Sequence, residues 1–236
     1  MKVEIFSDVA CPWCYIGKRR FETALGQFEQ SDQVEITWRN YQLDPTAPTV
    51  SDTSMNELLA KKYGMSPQRA AAANSQVSTL AAAEGLEYHL EKARYGNTFD
   101  AHRLIQLAAT HQLQDEVEER FFKAYFSEGA ALGDTETLVR LVSEVGINAE
   151  EARAVLAGDE YAEAVRGDIQ EARELGIQGV PFFLIDEKYG ISGAQSSEVF
   201  KKALDQVWAE SHPVSKIINV GGEDGTSCEG DSCASA

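Results

Sequence analysis

Cys11 and Cys14 stand three residues apart, separated by Pro12 and Trp13, directly after a short apolar run. Thiol–disulfide exchange needs a thiolate, a second thiol within its reach, and access for a partner's sulfur. If a helix begins at Cys11–Pro12, both cysteines lie on one side of its first turn. The first then meets unpaired backbone N–H groups and the positive end of the helix dipole, which favour its thiolate. The second lies deeper in the helix and is better shielded, as suits a thiol that expels a mixed disulfide. Cys11 is therefore expected as the exposed attacking thiol and Cys14 as the resolving thiol, with Pro12 and Trp13 on the surface a substrate meets. Cys-x-x-Cys is also half of a zinc site, and Cys228 and Cys233 would bring the thiols to four. The helix-start position and the bulky spacer count against that reading, because zinc knuckles favour small turn residues. An inert buried pair is the third reading.

A second constellation is Gly179-Val180-Pro181-Phe182-Phe183. A proline before an apolar strand can adopt the cis form, which costs little for an X-Pro bond. Lacking an N–H, it leaves the neighbouring backbone free to pair with an extended peptide. If Pro181 lies beside Cys11, Val180 can bind substrate main chain and hold its sulfur in line. The plainer alternative is an ordinary proline opening an edge strand.

Lesser candidates follow. Cys228 and Cys233 enclose four residues, across which a disulfide is feasible. They read as an auxiliary redox pair exchanging with Cys11–Cys14, or as a tail bridge or metal ligand without a role. His102, beside Arg103, either borders the site and steadies the Cys11 thiolate or is a packed histidine. Asp8 reads as a cap of the first helix, and Trp13 and Tyr15 as the rim. His89, His111 and His212 show no metal-ligand spacing, so no metal is expected.

The elements around these residues alternate. Lys2–Phe6 reads as a strand, Ser7–Ala10 as a turn, and the next residues as a helix with Ile16, Phe21, Ala24, Leu25 and Phe28 on one face. Val34, Ile36 and Trp38 give a second strand, parallel to the first. After a loop at 40–52 the pattern is almost wholly helical to about residue 176. Starts are expected at Ser66-Pro67, Asp134 and Asn148, the last as a capping box with Glu151. Helices are read over Asp100–Gln112, Asp115–Phe126 and Asp159–Leu175. The acidic residues of this block read as a solvated face. Phe182–Asp186 and Tyr189–Ser192 form a hairpin. A last helix, Gln195–Glu210, is read with Val199, Leu204, Val207 and Trp208 inward.

Joining the two ends gives a four-stranded mixed sheet flanked by helices. The expected organisation is one discontinuous unit (1–50 and 165–212), a helical insertion (51–164), and a tail (213–236). The tail's Gly, Ser, Asp and Glu cannot bury a core. The chain has 236 residues, 43% of them apolar, and a formal net charge of −17. That charge argues against nucleic acid or an anionic membrane surface as partner. No stretch approaches the roughly 18 apolar residues of a membrane span, and no signal peptide is evident, so a cytoplasmic protein is expected.

Several motifs carry a family resemblance as a set. They are Phe6-Ser7-Asp8-Val9 before Cys-Pro-Trp-Cys, Tyr15-Ile16-Gly17, Asn97 with Ala101-His102-Arg103, Gly179 to Phe183, and Ile191-Ser192-Gly193-Ala194-Gln195. Over about residues 1–210 the chain resembles the FrnE branch of the DsbA-like thioredoxin superfamily. The resemblance implies a thioredoxin-like α/β fold with a large helical insertion, redox cysteines at Cys11 and Cys14, and a cis-proline at Pro181. It also raises the redox reading of Cys228 and Cys233. Related branches, the kappa-class glutathione transferases and hydroxychromene carboxylate isomerases, share the fold, typically lack the second cysteine and use glutathione. Retention of both cysteines favours dithiol chemistry. The expectation is a protein disulfide oxidoreductase with protein or small-molecule thiols and disulfides as partners, no prosthetic group, and glutathione as a candidate co-substrate.

Overall fold

A computed structural model describes residues 1–51 and 53–213. Strand β1 (Lys2–Ser7) leads through Asp8–Cys11 into helix α1 (Pro12–Gly26), and the chain returns as β2 (Glu35–Asn40). The two strands pair in parallel, with Ile5 opposite Trp38. These two strands build the first half of a sheet. The second half comes from β3 (Phe182–Ile185) and β4 (Tyr189–Ser192). The sheet order is β2-β1-β3-β4, with β3 antiparallel to both neighbours. Asp186 and Glu187 both have positive φ (48° and 55°), the conformation a tight hairpin turn demands. Asp186 Oδ1 also accepts from the Lys2 backbone N–H at 2.7 Å, tying the turn to β1.

Each face of the sheet is covered. On one, Val3, Ile5 and Phe183 meet α1 and the terminal helix α9 (Ser197–Ser211). Phe21, Phe183 and Phe200 interlock there with ring centroids 4.5–5.7 Å apart. On the other, Phe6 and Leu184 pack with Ala172 of helix α8 (Ala162–Glu174) and with Ile177. The remaining helices are α2 (Met55–Tyr63), α3 (Pro67–Ala83), α4 (Phe99–Thr110), α5 (Gln114–Lys123), α6 (Thr135–Glu144) and α7 (Ala149–Ala157). Leu104, Phe121, Phe122, Leu138 and Val142 of this block share one continuous core with the sheet residues. No helix among the described residues is long and apolar enough to cross a membrane.

Several local expectations need correction. Asn148 caps α7 by accepting from the Glu150 and Glu151 backbone N–H groups, but Glu151 reaches His111 instead of closing a capping box. The reciprocal box forms between Ser54 and Glu57 at α2. Helix α8 begins at Ala162, because Tyr161 takes a left-handed φ of 62° and breaks the turn before it. Val199 is 45% exposed: α9 is rotated so that Phe200, Leu204 and Val207 form its buried stripe. Helix α5 ends at Lys123 and widens into a π-helical turn, Ala124–Glu128, closed by Gly129 at φ +72°. Residues 213–236 of the expected tail lie almost wholly outside the described residues, and Cys228 and Cys233 do so entirely.

Candidate active site

Cys11 is the N-cap of α1 and Pro12 its first residue, where a missing N–H costs nothing. The turn that delivers them is held by Asp8. Its backbone carbonyl accepts from the Cys11 N–H at 2.8 Å, and its buried carboxylate accepts from the backbone N–H groups of Ala10 (3.1 Å) and Leu43 (2.7 Å). Asp8 is therefore not a cap of α1, whose N-cap has no side-chain hydrogen bond; it fastens the turn before the helix to the loop after β2.

Both thiols are reduced. Cys11 is 4% exposed and Cys14 1%. The expected exposed sulfur at Cys11 is thus corrected: its Sγ turns inward and donates to the Val180 carbonyl oxygen at 3.4 Å. Trp13, 39% exposed, is the outward residue of the motif. The Val180–Pro181 bond is cis. Pro181 packs on α1 opposite Gly17, where an added Cβ would come within 2.9 Å of Pro181 Cγ and 3.5 Å of Ala194 Cβ. Only glycine lets α1 approach this closely. Cys11, Pro12, Cys14, Val180 and Pro181 are therefore brought together by three elements: the β1–α1 turn, the first turns of α1, and the segment entering β3.

Beneath Cys14 lies a buried polar cluster. Burial pushes the Cys14 thiol well above its ordinary pKa, and the hydrogen bond and charge of Cys11 push it the same way. The Asp8 backbone and the Ser7 side chain oppose this by favouring its thiolate. Ser7 Oγ donates in turn to Glu118 Oε1 on α5, at 2.8 Å. Glu118 is 1% exposed, and its carboxyl is pushed up to about 7, chiefly by burial, against the opposing pull of His102 and Ser7. His102, also 1% exposed, bonds Asn40 Oδ1 through Nδ1 at 3.1 Å, while Nε2 lies 3.6 Å from Asp8 Oδ1 and has no hydrogen-bond partner among the described residues. It belongs to the interior of the cluster and not to the rim. Asn40 also donates to Asp168 Oδ2, which Gln106 reaches at 2.9 Å. Arg103 stands apart, donating to the Val155, Gly158 and Glu160 carbonyls at the end of α7.

The first turn of α1 meets different company on its other side. Tyr88 donates its hydroxyl to the Pro12 carbonyl at 2.7 Å. Its ring stacks on Phe126 at 4.7 Å, and Tyr15 stacks on Phe122 at 4.9 Å. Tyr15 is buried in this stack, so it is not a rim residue as expected. A separate cavity of about 370 Å³ between the 42–49 loop and the start of α4 touches neither cysteine.

Sequence reasoning missed Ser7, Glu118 and Tyr88. Glu118 had a signal: it precedes Phe121 and Phe122 by three and four residues, and so shares their apolar face. Reading the block's acidic residues as uniformly solvated was wrong at this position. Tyr88 lies in a segment with no periodicity and had none.

A profile of the DsbA-like thioredoxin domain matches residues 2–205. The chain belongs to the DsbA-like thioredoxin family. A probable DsbA oxidoreductase from Streptomyces coelicolor shares 44% identity with this DsbA-like chain and superposes with a TM-score of 0.86, over 98% of this chain and 100% of that one. The uncharacterized protein YwbO of Bacillus subtilis is 26% identical over 204 residues, covering 86% of this chain and 94% of its own. The cytosolic disulfide reductase DsbM of Pseudomonas aeruginosa shares the fold at 13% identity, with a TM-score of 0.61 over 89% of this chain and 100% of its own. The four-stranded mixed sheet with its helical block is the DsbA-like fold, and its redox-enzyme neighbours place the family among thiol–disulfide oxidoreductases.

Proposed function

We propose that this chain exchanges disulfides with protein or small-molecule thiols through Cys11 and Cys14. The observation that carries the reading is the meeting of Cys11 Sγ with the Val180 carbonyl beside Pro181. It sets the nucleophile beside a proline-preceded backbone segment that, on this reading, pairs with an extended substrate.

Cys11 gives its thiol proton to solvent, leaves the Val180 carbonyl and attacks one sulfur of the substrate disulfide as the thiolate. A mixed disulfide forms and the first substrate thiolate departs. Cys14 then passes its proton through the Ser7 hydroxyl to the Glu118 carboxylate and attacks the Cys11 sulfur. The Cys11–Cys14 bond forms, the second substrate thiolate departs, and the substrate has gained two electrons. The same steps in reverse oxidise a dithiol substrate, so the redox partner sets the direction. Glutathione is the co-substrate proposed to restore the dithiol; no prosthetic group takes part.

The test is equilibration of the full chain in graded glutathione buffers, with the bridges located by peptide mapping. A reversible Cys11–Cys14 disulfide is expected, together with loss of insulin reduction in Cys11→Ser. No such bridge at any buffer ratio overturns the reading. A glutathione conjugation activity that survives Cys14→Ser would instead assign transferase or isomerase chemistry.

A further inference from the structure

Beside the α5 contacts of Tyr15, the helical block reaches the first turn of α1 through a short strap that carries Tyr88. Residues 87–92, between α3 and α4, are stitched to the π-helical turn. The His89 N–H donates to the Phe126 carbonyl and Ser127 Oγ to the Glu87 carbonyl, each at 2.6 Å. Gly129 closes the turn so tightly that a Cβ there would come within 2.7 Å of the Lys92 carbonyl oxygen. π turns inside helices are frequent at functional sites. Here the widened turn turns the Phe126 carbonyl onto the strap and stacks the Phe126 ring on Tyr88. The strap in turn aims the Tyr88 hydroxyl at Pro12, the residue next to Cys11 in the motif.

We infer that Tyr88 is a positioning residue of the dithiol, whose hydroxyl braces the Pro12 carbonyl and favours the reduced pair over the disulfide. The inference rests on the exchange chemistry proposed above. Closing a disulfide draws Cys11 Sγ off the Val180 carbonyl and toward Cys14, so the first turn must adjust between them. The Tyr88 hydrogen bond holds that turn in its reduced geometry. It also satisfies the Pro12 carbonyl oxygen, a partial negative charge one residue from the Cys11 sulfur. The groups around the hydroxyl are Cys11 at the N-cap of α1 and Cys14, Tyr15 and Arg19 within it, with Glu119 of α5 held by Tyr15 and Arg19. Burial, and then charge on Cys11, push the tyrosine's own ionisation up, so it remains a donor throughout.

Tyr88→Phe keeps the ring in its stack and removes only the hydroxyl. Its glutathione equilibrium is expected to shift toward the Cys11–Cys14 disulfide by about threefold or more, as the loss of one buried hydrogen bond allows. The pH midpoint of Cys11 alkylation is expected to rise. Tyr125→Phe is the control: it removes a buried hydroxyl from the same aromatic group, but that hydroxyl faces Met55 Sδ. It should leave both readouts unchanged. Should Tyr88→Phe fail to fold, a fluorinated tyrosine at 88, a stronger donor, should shift both readouts the opposite way. An unchanged equilibrium in a folded Tyr88 variant, a shift toward the dithiol in Tyr88→Phe, or an equal shift in Tyr125→Phe overturns the inference while leaving the exchange reading intact. A wild type that forms no Cys11–Cys14 disulfide overturns both.

Discussion

The two sides of the α1 first turn are built from opposite materials. On one, Tyr15, Tyr88, Phe122 and Phe126 form an apolar stack with a single hydroxyl reaching Pro12. On the other, Ser7, Glu118, His102, Asn40 and Asp168 are buried polar groups joined mainly by hydrogen bonds. The aromatic side is close-packed, and both its tyrosines keep their protons at ordinary pH; apart from the Tyr88 hydroxyl it supplies stability. The polar side leaves a carboxyl at about 7 within one hydroxyl of the resolving thiol. That arrangement is costly to bury, and it lets a proton move. Scaffold and chemistry are thus divided between neighbouring regions of one core.

The division can be broken from either side. Phe122→Ala should cost about 3–5 kcal/mol of stability by opening a cavity between Tyr15 and Trp38. Denaturant unfolding checks this, and the folded fraction should still exchange disulfides. Glu118→Gln should do the reverse. Closure of the mixed disulfide by Cys14, followed in stopped flow with glutathione, should slow by about a hundredfold. In the wild type that step should weaken as pH falls below about 7, where Glu118 takes its proton, and this limb should vanish in the variant.

Stability provides a second check on the same variant. The folded-state pKa of Glu118 is raised, so its contribution is full below its ordinary value near 4.5 and is lost as pH rises through about 7. Glu118→Gln should therefore gain on the wild type across that window, by up to about 3 kcal/mol. Chemical denaturation at pH 4.5 and pH 8 measures it, and a variant less stable at pH 8 would contradict the assignment. Ser7→Ala should have the smallest effect. It leaves both ends of the relay in place but interrupts it, slowing closure about tenfold with the pH limb retained. A slowing equal to that of Glu118→Gln would mean that the hydroxyl is indispensable.

The sequence made legible what depends on local order. Strand β1, the helix start at Pro12, the parallel return of β2 and the hairpin of β3 and β4 all follow from alternation, turn residues and proline placement. The meeting of the Cys-Pro-Trp-Cys motif with the Val180-Pro181 segment rests instead on the family resemblance, and one profile of the whole domain spans both. What was hidden depends on contacts across long separations. Ser7 and Glu118 are 111 residues apart, and Pro12 and Tyr88 are 76 apart. No periodicity links them. The inward turn of Cys11 was equally hidden, because it depends on a carbonyl 169 residues away. Val199 failed for a smaller reason: a helical stripe read one residue out of phase exposes its margin.

The unequal roles of the two thiols are open to direct measurement. Cys14→Ser and Cys11→Ser, each also carrying Cys228→Ser and Cys233→Ser, can be treated with glutathione disulfide at neutral pH and followed by intact mass. The account predicts that the chain retaining Cys11 captures one glutathione about a hundredfold faster than the chain retaining Cys14, and holds it. Equal rates, or faster capture at Cys14, would contradict it.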